Sequence, residues 1–291
     1  MHPGSASPRL PSPWGEHELS EGTPTVVRIG PIELWFETVN GEIRLAHRYP
    51  SGHDLPPLSG SAPALAPDPE NQLSAAGEPP DKGIWSRWAT PGGETRIRLV
   101  PGFPDRTLVL QPELPFRLLP RAEARIFVRV PLWVRIELPV EGASAPLLLT
   151  EIPAIPMSDT WWGGFMEGEL TYWLPTKARR VVTPELYVSH MAICTLQLRN
   201  RSTADLEVSK LAFRVAHLAL LLDAEDHFWS SESRVNYHGE AEGSQIDISE
   251  RAPVEAGETT LVLSPRTPLA RGFRARTFER LRVLPGLGGS L

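Results

Sequence analysis

Proline constrains this chain more than any other residue: there are 31 in 291 residues, about double the usual share of roughly 5%. The pyrrolidine ring fixes φ and removes the amide donor, so a helix interior cannot hold it. Strand-like runs lie between the prolines, and the expectation is an all-β fold. Within 94–100, Ile97 and Leu99 alternate with Arg96 and Arg98. Within 132–138, Leu132, Val134, Ile136 and Leu138 alternate with Trp133, Arg135 and Glu137. A period of two marks a sheet with one buried and one wet face. Asn40-Gly41 separates a run ending at Phe36 from Ile43, Leu45 and His47, a hairpin signal because a type I′ turn needs positive φ at both central residues.

Further strand-like runs cover 106–111, 124–130, 185–200, 206–211, 233–238, 244–248 and 258–263. The expected architecture is two sandwich-like halves, immunoglobulin-like or jelly-roll-like. Residues 1–24 read as a disordered arm. An N-terminal β domain spans 25–141, with a Pro-rich insert at 50–82. A C-terminal β-sandwich domain spans 142–265, and a basic tail 266–291.

Several classes of function find no support. A net charge of −6 disfavours nucleic acid, whose phosphates need a basic footprint. One cysteine, Cys194, allows no internal disulfide, and no run approaches the roughly 18–20 apolar residues of a membrane helix. With no signal-like start at Met1-His2-Pro3-Gly4-Ser5, the expected compartment is the cytoplasm. No Gly-x-Ser-x-Gly elbow, P-loop or dinucleotide fingerprint occurs. No catalytic residue, cofactor or metal is assigned. His190 with Cys194, and Asp223, Glu225, Asp226 and His227, lack metal-motif spacing, and they read as core and acidic loop.

The densest unusual chemistry is at 151–180. Asp159, Trp161, Trp162, Glu167, Glu169 and Trp173 are the candidate ligand-binding residues. Flat indoles stack on sugar rings and paired carboxylates perform glycoside chemistry, so a carbohydrate-binding or carbohydrate-active protein is one reading. The favoured reading has the indoles plugging a corner of the core, Trp161 included, because tryptophan buries a large apolar area. The tail carries Arg271, Arg274, Arg276, Arg280 and Arg282, candidates for contact with an acidic protein or anionic surface.

Three stretches carry a resemblance. They are Pro131-Leu132-Trp133-Val134-Arg135-Ile136, Leu148 to Pro153 with Met157-Ser158-Asp159-Thr160-Trp161-Trp162-Gly163, and Cys194-Thr195-Leu196-Gln197-Leu198-Arg199-Asn200-Arg201-Ser202. Together with Glu167-Gly168-Glu169-Leu170 and Thr176-Lys177-Ala178-Arg179-Arg180 they resemble the domain of unknown function 432 family of archaeal and bacterial proteins. That family has no assigned activity, so the resemblance transfers no catalytic residue. It implies a membrane-associated protein partner, since its genes can neighbour those of small-conductance mechanosensitive channels. The expected function is a non-enzymatic binding or interaction module with a protein partner or self-association, and a sugar ligand is the alternative.

Overall fold

The computed structural model describes residues 9–49, 73–75, 85–90, 95–140, 142, 145–249, 251–268, 270 and 273–279. Among them the fold is all-β, with short 3-10 turns and no α-helix. The 24 strands, numbered in chain order, form five sheets. The first is antiparallel, ordered β1 (Gly15–Glu18), β7 (Arg96–Gly102), β11 (Trp133–Leu138), β12 (Leu147–Pro153). The second is ordered β5 (Leu73–Ala75), β2 (Thr25–Ile29), β3 (Ile32–Val39), β4 (Glu42–Arg48), β6 (Ser86–Ala89). The third is ordered β13 (Ser158–Trp162), β14 (Glu169–Thr176), β8 (Leu108–Pro112), β17 (Lys210–Phe213), β24 (Phe278–Glu279).

The fourth and largest sheet runs β22 (Thr259–Leu263), β18 (Leu220–Asp223), β19 (Phe228–Ser230), β15 (Met191–Asn200), β20 (Ser233–Tyr237), β21 (Ser244–Ile248), β23 (Arg274–Ala275). There β10 (Glu123–Pro131) also pairs with β15. The fifth is a pair, β16 (Leu206–Val208) with β9 (Phe116–Leu118).

Local chemistry sets these elements. Asn40 and Gly41 take φ of 52° and 75° and connect β3 to β4 with Val39 opposite Glu42, as an Asn-Gly type I′ turn requires. Asn200, fully buried, closes β15: its amide donates to the carbonyls of Leu118, Leu119 and Ala204, and its Oδ1 accepts from Ser202. Residues 15–18, placed by composition in the N-terminal arm, form β1 on β7, and Trp14 is buried. One aromatic ring outweighs the polar texture around it. The Pro-rich insert at 50–82 lies outside the described residues except for β5.

Strands from either side of residue 141 share sheets. β10 lies against β15 over nine residue pairs, and β8 lies between β14 and β17. A single core draws on both stretches, with Phe36, Ile97, Leu108 and Ile126 joining Leu196 and Phe228. The third sheet thus has β14, β8 and β17 inside it and β13 at its edge. From that edge the chain turns back through 163–168.

Candidate functional site

All six candidate ligand residues lie on the hairpin made by β13 and β14, whose register runs from Ser158↔Trp173 to Trp162↔Glu169. Side chains alternate across a sheet, so the hairpin divides them. Asp159 and Trp161 share a face with Tyr172 and Leu170, while Trp162, Glu169 and Trp173 belong to the other. The carboxylates flanking Trp161 are therefore on opposite faces. The structure does not bring Asp159 and Glu169 together as a pair.

The three indoles have three environments. Trp162 is 3% exposed, packs against Val109 and Ala212, and donates its Nε1 hydrogen to the Arg276 carbonyl at 3.1 Å. Trp173 is half-buried and donates to Gln111 Oε1 at 3.1 Å. Trp161, expected in the core, is 51% exposed. Its indole donates to the Gly164 carbonyl at 3.0 Å and its ring lies against Gly168, where any Cβ would collide with it. Gly163 at φ 101° and the Glu167 amide donating to the Gly164 carbonyl complete a tight turn. At its apex Phe165 and Met166 are 90% and 86% exposed, with Leu170, 47% exposed, beside Trp161.

The carboxylates are held by arginines. Arg106 reaches Asp159 at 3.3 Å and lies over the Tyr172 ring. Burial and the neighbouring Asp105 carboxylate push the Tyr172 hydroxyl up to about 12. Arg214 reaches Glu169 at 3.1 Å, and Thr107 donates to the same carboxylate. Burial lowers the Arg214 guanidinium below its ordinary range against the opposing pull of Glu169. Arg106, Arg214, Glu169, Asp105 and His217 line a cleft of about 350 Å³ beside the turn end of β14. His217 Nδ1 donates to the Thr267 carbonyl at 2.7 Å. Glu167 is exposed at the turn.

Sequence reasoning missed Phe165 and Met166. Apolar residues in a turn look like core residues in a linear string. The bracketing glycines at 163, 164 and 168 were the available signal. Arg106 and Arg214 gave none.

Other candidates are spent inside the fold. Asp223, Glu225 and His227 place ligand atoms within 4.8 Å of one another. Asp223 already accepts from the amides of Glu225 and His227, the Trp229 indole and His227 Nδ1, so its lone pairs serve the loop. His190 is buried against Gly30. Cys194 is fully buried, and burial pushes its thiol up to about 12. Arg274 and Arg276 are exposed where β23 joins β21. Arg271, Arg280 and Arg282 lie outside the described residues. Among the described residues no helix is long and apolar enough to cross a membrane.

Residues 13–282 match the family model described as a protein of unknown function, DUF432. The chain belongs to that family. No curated protein and no solved structure matches it.

Proposed function

We propose that this member of the DUF432 family is a non-enzymatic interaction module that docks through the hairpin of β13 and β14. One observation carries this reading: Phe165 and Met166 stand almost fully exposed at the apex, with Trp161 and Leu170 half-exposed next to them. Monomeric soluble proteins rarely leave a contiguous apolar patch of several hundred Å² without a use. The apex is also preshaped. Trp161 bonds to Gly164 and stacks on Gly168, so little conformational freedom is lost on docking.

The partner class is protein. The exposed Arg274 and Arg276 support a contribution from acidic groups on it. A cytoplasmic setting belongs to the same reading, supported by the single cysteine buried as an unreactive thiol. The half-exposed Trp161 favours a second reading, a sugar-binding surface, in which one face of the ring stacks on a pyranose.

Gradient sedimentation of source-cell extract tests the docking reading. The wild-type chain should migrate in an assembly larger than itself, and the Phe165→Ser/Met166→Ser form should not. Identical migration of both, with both correctly folded, refutes it. Binding of a neutral oligosaccharide, lost in Trp161→Ala but kept in the double serine form, would favour the sugar reading.

A further inference from the structure

A sheet edge presents a row of amides and carbonyls without partners, and proteins blunt such edges with bulges, lysine, proline or very short strands. Two of the longer edge strands here are blunted. The pairing of β12 with β11 shifts register at Ile136/Glu137, and that of β22 with β18 shifts at Leu220/Leu221. β13 is different. Among the described residues it stands at the edge of its sheet; it pairs with β14 through five residues in unbroken register and contains neither proline nor lysine.

The open edge coincides with the apolar patch. Large side chains present roughly 150–250 Å² each. Trp161, Phe165, Met166 and Leu170, at their exposures, thus leave roughly 400–700 Å² of apolar surface uncovered. A standard interface takes about 800 Å² from each partner, a little over half of it apolar. The patch supplies that apolar share.

We propose that the docking partner is a second copy of this chain: β13 pairs antiparallel with its counterpart about a two-fold axis through Thr160. This rests on the hairpin being the docking element. The edge is self-complementary in that register. Thr160 meets Thr160 of the other copy, a favourable cross-strand pair. Asp159, the one charged residue of the strand, meets Trp161 of the other copy and not its own counterpart. The same antiparallel register carries the apex of each hairpin beyond the end of the partner's β13, over its half-buried Ile155, Pro156 and Met157. Such an interface is isologous and closes at two copies. Two five-stranded sheets join into one, and both apolar apices are covered.

The full-length chain tests this directly. Thr160→Cys places two thiols opposite each other on the axis, where facing Cβ atoms lie about 4.5–5.5 Å apart, close enough to cross-link with small adjustment. Cys194 is fully buried and stays out of the reaction. Mild oxidation should give a covalent dimer of Thr160→Cys. It should give none of Leu114→Cys, a control that is 80% exposed elsewhere. Sedimentation equilibrium of the purified wild type, which needs no variant, should show a dimer. In Phe165→Ser/Met166→Ser dimerisation should weaken about tenfold or more, the equivalent of losing one large apolar side chain.

A purified wild type that stays monomeric up to about 100 µM, above the micromolar limit of standard interfaces, overturns the proposal. So does cross-linking no faster than in the Leu114→Cys control. Tip-dependent assembly in extract with a monomeric purified chain would refute the second copy and leave the docking reading standing. If the double serine form changes neither, both fall.

Discussion

Replacing Trp162 and Trp161 in turn by alanine separates a core indole from a docking indole on adjacent positions of one strand. Trp162 is 3% exposed, and its loss opens a cavity against Val109 and Ala212 and removes the indole hydrogen bond to the Arg276 carbonyl. Large-to-small changes at such sites cost about 3–5 kcal/mol. In a chain of this size each kcal/mol moves the midpoint by roughly 2–4 °C, so Trp162→Ala should lower Tm by roughly 6–20 °C. Trp161 keeps about half its surface in water. With area burial scaling at about 25 cal/mol per Å² its removal should cost about half as much. Thermal melts followed by far-UV circular dichroism, at a concentration where the chain is monomeric, measure both. Trp161→Ala costing as much as Trp162→Ala, or more, would refute the assignment of faces and with it the exposed docking surface.

Three other outcomes follow from the described contacts. Glu151 receives Arg135 at 2.6 Å and Arg266 at 2.8 Å, all three largely buried; Arg135 keeps Glu137 at 3.4 Å, so Glu151→Gln should cost about 3–5 kcal/mol chiefly by taking from Arg266 its carboxylate, and an unchanged denaturant midpoint would contradict it. At Glu33 burial pushes the carboxyl up, but Arg28 and Arg48 at 2.8 and 2.6 Å outweigh it and hold the carboxyl below its ordinary range. The folded value is then below the unfolded one, so this stabilisation is complete above about pH 4.3 and disappears as pH falls through the folded value. Glu33→Gln should flatten the acid limb of the Tm profile, and an identical slope would count against the pairing. Cys194 should resist a maleimide at neutral pH in the native protein and react on unfolding; labelling without unfolding would show that the β10–β15 region opens.

Much of the strand content was readable from alternation alone. Leu132 to Leu138 and Ala124 to Val130 declare a buried face every second residue, and Asn40-Gly41 announces its turn, because these signals depend only on neighbours in the chain. Trp14 escaped for the opposite reason: its ring is buried by partners far away in sequence, while its neighbours are polar. The site was half legible. Tryptophan, carboxylate and glycine at 159–173 marked an unusual segment. Which indole was buried depended on the pairing of β13 with β14 and on what lay beneath.

The sequence by itself determined that this chain forms sheets, since proline density excludes helices and a period of two selects strands wherever it occurs. It also determined the tight turns, which are matters of local φ. Only the tertiary structure decided which strands are neighbours and which one is left at an edge. Pairing is non-local: β10 meets β15 and β8 meets β14 across long stretches of chain. An edge is defined by the absence of a neighbour, which no local pattern records. For that reason the exposed apex at Phe165 and Met166, and the open side of β13 beside it, became visible only once every other strand had found its place.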